Sequence, residues 1–200
     1  MFIQHIIGLF IDPVRQWQSI RLQHLGLKRY YASHIFLLAA IPAVSGYIGT
    51  TRIGWQIGAG EAIRLTSETA LSIAVIYYLV LLTAVFTIGK LIQALGKAYD
   101  VDKPLPLCVA LAAYSATPLF LIGIMELYPL LWLNFLLGLP ALAYSVYLLY
   151  SGLPIMMEIS KERGFLYSTA ILGVGLIVLV ALLAATALLW GMGLQPEFTY

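Results

Sequence analysis

The nearly uncharged stretch 105–150 limits what this chain can fold into. It contains 46 residues and one charged side chain, Glu126. As a single helix it would be roughly 69 Å long, more than twice the roughly 30 Å of hydrocarbon in a bilayer. Pro129 disfavours helical geometry at the preceding residue and suits the first turn of a new helix. The stretch therefore predicts two spans, about 105–125 and 128–150, joined by a turn at Glu126 and Pro129.

Glu126 itself allows two interpretations. An ionised carboxylate at the bilayer midplane costs about 2.5–3.5 kcal/mol on insertion scales, and a turn at the membrane surface avoids that cost. Tyr128 and Trp132 are typical of the aromatic belt at such a surface. We therefore expect a surface turn, and a buried functional carboxylate is the alternative.

The composition places the rest of the chain in a membrane. Of its 200 residues, 62% are hydrophobic and only 10% are charged, whereas a soluble domain is about one quarter charged. Further apolar runs predict spans at about 33–50, 69–92 and 166–190. We predict an all-α, five-helix polytopic membrane domain over residues 33–200, preceded by a cytoplasmic, interfacial segment over 1–32. The net charge of +2 gives no reason to expect nucleic acid.

Lysine and arginine predict the orientation of these spans, because they concentrate on the cytoplasmic side of membrane proteins. If the N-terminus is cytoplasmic, only Arg52 and Arg64 of the eleven basic residues fall in outer segments. The distribution predicts a cytoplasmic N-terminus and a C-terminus on the periplasmic or extracellular side.

The first 32 residues have the pattern of amphipathic helices lying on the bilayer. Apolar residues of the segment 2–11 share one broad arc, and Asp12-Pro13 is a typical helix start. Basic residues suited to anionic lipids follow, namely Arg15, Arg21, Lys28 and Arg29. A docking surface for a protein partner is the alternative for this segment.

Motifs for catalysis, cofactors and metals are missing from the sequence. His5, His24 and His34 have no i, i+4 pairing and match no metal pattern, and Cys108 is the only cysteine. The chain contains no G-x-S-x-G, H-E-x-x-H or P-loop motif. We expect no enzymatic activity, no cofactor and no metal.

The segment "YSATP" is the main polar feature inside a predicted span. Tyr114, Ser115 and Thr117 precede Pro118, which removes a backbone donor and frees a carbonyl about one turn earlier. Nearby hydroxyl groups can satisfy such groups in lipid, which predicts a kinked, self-satisfied bundle. The alternative is a polar cavity for a small solute near Tyr114, Thr117 and Asn134, as in a small oligomeric transporter or channel.

The order of several short motifs resembles the Yip-domain family, and in particular its short bacterial inner-membrane members. The motifs are "LFIDPVRQW", "AIPAVSGYIGTTRIGW", "AAYSATPLFL", "LYPLLWL" and "LLYSGLP". The resemblance implies five spans, a cytoplasmic N-terminus, and a role in membrane trafficking, membrane shaping or the assembly of membrane partners. It implies a scaffold, adaptor or organiser that contacts the lipid bilayer and a membrane protein or further copies of itself. It carries no catalytic residue onto this chain.

Overall fold

The computed structural model describes residues 2–23, 25–54, 63–191 and 198–199, but not the side chains of 2–3 and of most positions beyond 177. Nearly all of this part of the chain is helical. Its helices are α1 (Phe2–Ile11), α2 (Pro13–Leu22), α3 (Leu27–Ile53), α4 (Ser67–Gly96), α5 (Leu105–Ser115), α6 (Thr117–Ile122), α7 (Leu131–Met157) and α8 (Lys161–Gly191). Two short strands, β1 (Arg64–Leu65) and β2 (Phe198–Thr199), pair antiparallel.

Helix α3 contains the first predicted span and begins six residues before it. It widens into π-helix directly after its first turn, at Tyr31–Ile35, and again in its last turn, at Gly49–Ile53. The predicted span excludes the charged residues Lys28 and Arg29 because of their low hydropathy. The helix nevertheless starts at Leu27, because helical hydrogen bonding can continue beyond the hydrocarbon layer. Helix α4 begins where the Thr69 N–H donates to the hydroxyl oxygen of Thr66 (3.3 Å), and a 3₁₀ turn at Lys97–Tyr99 follows it.

The third predicted span is broken. Helices α5 and α6 meet at Ala116 with a bend of 43°, and a 3₁₀ turn at Gly123–Leu127 continues α6. Pro118 is the second residue of α6, where its missing N–H costs no helical hydrogen bond. The following span, α7, runs seven residues past the predicted end at 150 and includes Pro154.

The all-α membrane character of the fold is confirmed, and the count of five spans stays a prediction. Three helices of the described chain are long and apolar enough to cross a bilayer, and the bent pair α5–α6 makes a fourth if the pair is one span. Large apolar side chains cover the outer faces of α4 and α7, including Ile76, Leu79, Phe135 and Leu136. The fifth span, 166–190, coincides with α8 and stays a prediction, as does the boundary at residue 32.

Long-range contacts group the connections at two ends of the bundle. One end, here the docking end, carries α2 and the connections at 97–104 and 158–163, and α1 extends from α2 along the bundle to Tyr144, the middle residue of α7. The other, here the turn end, carries the last turn of α3, the β1–β2 pair and the 3₁₀ turn at Gly123–Leu127. The segments predicted to be inner therefore lie together, and so do those predicted to be outer.

Candidate functional site

The docking end is built around Tyr114, which is 3% exposed. Its ring centroid lies 4.1 Å from that of His34 and 5.9 Å from that of His5. The rings of Trp17 and Tyr30 each lie 6.4 Å away and meet it edge to face. The cluster joins α1, α2 and α3 to α5, so the tyrosine of "YSATP" fixes the N-terminal helices to the bundle.

Thr117 uses its polar atoms within the protein. Its hydroxyl donates to the carbonyl of Ala113 at 3.3 Å, and its oxygen lies 3.0 Å from Nε2 of His34. Because the hydroxyl proton is used on Ala113, the oxygen is left to accept from Nε2. Thr117 and His34 are both buried, and so is Pro118. A hydroxyl beside the helix break thus satisfies a backbone carbonyl one turn earlier.

Ser115 faces a different environment. Ser115 and Ser145 line a cavity of about 430 Å³ between α4, α5, α6, α7 and α8. Both side chains are 7% exposed, and neither hydroxyl has a hydrogen-bond partner among the described residues. The rest of the lining is mainly apolar and includes Leu119, Leu142 and Ile171.

Asn134 lies apart from the other polar residues predicted to share a cavity. Its Nδ2 donates to the carbonyl of Tyr128 at 3.2 Å, which ties the first turn of α7 to the preceding connection. It precedes Ser145 by eleven residues, or about 16 Å of helix. The structure therefore places Asn134 near the turn end, away from the Tyr114 cluster.

Glu126 lies in the turn that precedes Pro129, and it is held by two neighbouring helices. The hydroxyl of Tyr77 in α4 donates to its Oε1 at 3.1 Å. A Cβ at Gly49 of α3 would overlap the backbone carbonyl of Glu126, so only glycine allows this close approach. The carboxylate is half-buried between helices rather than surrounded by water.

The four predicted basic residues have different surroundings. Arg15 pairs with Asp12 at 3.5 Å on the surface of α2, and Lys28 and Arg29 are exposed. Arg21 is half-buried, and its Nη1 donates to the carbonyl of Ile155 at 3.2 Å. Arg21 therefore helps to fasten α2 to the end of α7.

Glu158 is the acidic partner at the docking end. It follows α7 in the left-handed conformation (φ +58°) and pairs with Arg21 at 3.3 Å and with Lys103. The hydrogen bond and charge of Lys103, then the charge of Arg21, lower the pKa of this exposed carboxyl. One carboxylate thus serves two cations from distant parts of the chain.

Several of these partners were not predicted from the sequence. Neither His34, Tyr77 nor Glu158 was predicted to pair with the residue that it contacts. His34 gave one signal, since it is the only side chain in the predicted span 33–50 that can carry a positive charge. His24 lies outside the described residues.

His5 and His34, the two histidines that the structure describes, belong to no metal-binding group of its residues. Across the part of the chain that the structure describes, no group of three or more His, Cys, Asp or Glu could hold a metal ion. His5 lies against Gln16 and Gln23, and burial lowers the pKa of its imidazole. The geometry suits a structural contact between α1 and the bundle.

Comparison with known proteins decides the family. The model of the Yip1 domain matches residues 7–182, which include α2 to α7 completely. The chain belongs to the Yip1-domain family. The resemblance predicted from the motifs is therefore confirmed.

Members of the Yip1-domain family from bacteria are similar along the whole chain. The inner membrane protein YohC of Escherichia coli K12 is 42% identical over 191 residues, which cover 96% of this chain and 98% of that protein. YohC of Escherichia coli O6:H1 (strain CFT073) matches to the same extent. No solved structure matches the chain. The protein is a membrane protein with a Yip1 domain.

Proposed function

We propose that the chain is a non-catalytic protein of the bacterial inner membrane that acts as a scaffold, adaptor or organiser of membrane partners or membrane shape. The observation that carries this proposal is the docked N-terminal helix pair, α1 and α2. Leu9, Trp17 and Ile20 of this pair are fully buried against the bundle. The pair is therefore a fixed surface rather than a loose tail.

The outward face of the helix pair is apolar where a soluble surface would be polar. Ile11 is 78% exposed, and Ile7, Phe10 and Val14 are exposed beside it. Contiguous exposed apolar side chains mark a surface that contacts a membrane or a protein. Exposed Arg15, Lys28 and Arg29 add positive charge suited to anionic lipid. These features support a surface that binds the bilayer, a protein partner or another copy of the chain.

The environment of the polar residues supports a structural role for "YSATP". Thr117 bonds to His34 and Ala113, and Tyr114 packs among aromatic rings. In lipid, such internal pairing is the usual fate of polar groups at a helix break. The internal pairing of Thr117 favours a structural role over catalysis for this residue, whereas the hydroxyl of Ser115 has no partner among the described residues.

Photo-crosslinking in native membranes tests the proposed scaffold role. A photoreactive amino acid at Ile11, on the outward face of α1, should give discrete protein adducts. The matched control is Leu136, an exposed apolar residue on the outer face of α7, which should give lipid adducts only. Equal adduct profiles at Ile11 and Leu136 would contradict a partner surface on the helix pair.

A small oligomeric transporter or channel is the second candidate. The cavity beside the broken span supports it, since transporters use discontinuous helices at their binding sites and Ser115 and Ser145 supply unpaired hydroxyls there. If this is the function, proteoliposomes should show solute flux that Ser115→Leu with Ser145→Leu abolishes. Flux no greater than that of empty liposomes would rule against it.

A further inference from the structure

A second cavity lies at the docking end, outside the residues discussed for transport. Its volume is about 480 Å³, within the range of small-molecule sites. The end of α2, the start of α3, the start of α5 and the residue after α7 enclose it. It is therefore formed only when the N-terminal helix pair has docked.

The charges of this cavity favour an anionic ligand. Arg21 and Lys103 both line it, and Glu158 is the one acidic residue among the lining residues that the structure describes. Two cations around one carboxylate leave an excess of one positive charge. Phosphate oxygens could occupy the positions at which the carboxylate oxygens of Glu158 now accept from both cations.

The backbone conformation of Glu158 is unusual for a residue that carries a side chain. A residue with φ +58° at the end of a helix is usually glycine, because a side chain disfavours this conformation. Here the position carries the acid that bridges Arg21 and Lys103. The carboxylate thus occupies an anion position between two cations.

The apolar residues in the wall of the cavity favour an amphiphilic ligand over a free ion. Leu22, Leu25, Tyr30 and Leu107 line it beside the charged groups. Inorganic phosphate would gain nothing from these side chains, whereas the glycerol and upper acyl chains of a lipid would bury apolar surface against them.

We propose that this cavity binds an anionic phospholipid of the adjacent leaflet, with its phosphate on Arg21 and Lys103 in place of the Glu158 carboxylate. The acyl chains begin along Leu22, Leu25 and Leu107. The site goes beyond the scaffold role and does not depend on it, since a transporter with the same docking end would bind the same lipid.

The test is a titration of the full-length, delipidated protein in mild detergent, followed by native mass spectrometry. The probes are dioleoyl phosphatidylglycerol, the zwitterionic lipid dioleoyl phosphatidylcholine, and inorganic phosphate as a competitor. Lys103→Gln should weaken phosphatidylglycerol binding about fivefold, the loss expected for one basic residue. Lys97→Gln, the same charge change at an exposed lysine outside the cavity lining, should leave the dissociation constant unchanged.

Glu158→Gln should change the affinity for phosphatidylglycerol in the opposite direction, and it keeps both cations. It removes the competing carboxylate and should tighten phosphatidylglycerol binding, so the proposal stays testable if Lys103→Gln does not fold. Equal binding of the two lipids, equal losses in the two lysine variants, or weaker binding in Glu158→Gln would overturn the site. Competition by inorganic phosphate as strong as that by the lipid would overturn the lipid assignment.

Discussion

The two ends of the bundle are held together in different ways. At the docking end, side chains attach the N-terminal helix pair: Trp17 packs on Tyr114 and lies where a Cβ of Gly152 would be, and Glu158 joins two cations. At the turn end, backbones approach each other at Gly49 and Glu126. Side-chain contacts between separate elements can part without breaking a helix, whereas this backbone contact cannot part without moving a span.

Because of this difference, the docking end can adapt its contacts, whereas the turn end is rigid. Water screens exposed ion pairs, so the Glu158 pairs add little to the attachment of α2. Buried Trp17 and Ile20 supply most of it. The docking end therefore suits reversible binding, and the turn end suits fixing the spans relative to one another.

The largest expected effect comes from labelling that tests which side of the membrane each end faces, because each position either reacts or does not. In a Cys108→Ser background, Thr199→Cys at the turn end should react with an impermeant thiol reagent added to intact cells. Lys161→Cys at the docking end should react only after the membrane is opened. The reverse pattern would invert the predicted cytoplasmic placement of the N-terminus.

Trp17→Ala should separate the docking end from the bundle. Truncating a buried tryptophan typically costs about 3–5 kcal/mol, and here the loss should fall on the attachment of α2. Hydrogen exchange should rise over α1 and α2 and stay low over α4. Ile11→Ala, which removes an exposed apolar side chain, serves as the control. Uniform loss of protection along the chain would show that the helix pair and the spans unfold together.

Gly49→Ala should destabilise the turn end by about 1–3 kcal/mol, because the new methyl group overlaps the carbonyl of Glu126. Gly138→Ala is the matched control in α7, where a Cβ has nothing within 4 Å. It should stabilise by about 0.5–1 kcal/mol through helix propensity. Thermal unfolding in detergent measures both. Equal shifts in the two variants would contradict close backbone contact at Gly49.

Glu126→Gln should have the smallest effect. The amide keeps an oxygen that accepts from Tyr77, so we expect a loss of about 1 kcal/mol or less in the free energy of unfolding. Tyr77→Phe should give a similar value, since both changes weaken one hydrogen bond. A loss of proton- or ion-coupled activity in Glu126→Gln, at unchanged expression, would favour the buried functional carboxylate instead.

The sequence predicted what depends on local pattern. Spans 33–50 and 69–92 lie inside α3 and α4 because hydropathy and helix signals are properties of neighbouring residues. The break at Ala116 could be expected from Pro118 for the same reason. The pairing of His34 with Thr117 joins residues 83 positions apart, and no local pattern determines such a contact.

The N-terminal helix pair was predicted as a segment but not as a docked element. Its amphipathic pattern is equally compatible with lipid on one side or protein on the other. The structure gives protein contacts on both helices: Leu9 and Trp17 are buried in the bundle, and Ile7 and Ile11 point away from it. The positions of α5 and α7 decide which apolar side chains are covered, and long-range packing sets those positions.

The docking of α1 also has a consequence for biosynthesis. The carbonyl of Leu9 accepts a hydrogen bond from Tyr144, 135 residues further along the chain. At about 5–20 residues per second, a ribosome needs roughly 7–27 s to make that distance. During this interval Trp17 and Ile20 have been synthesised but their partners in α7 have not. Their apolar surface must then rest on the membrane surface or on the insertion machinery, and release from that first support becomes a late step of assembly.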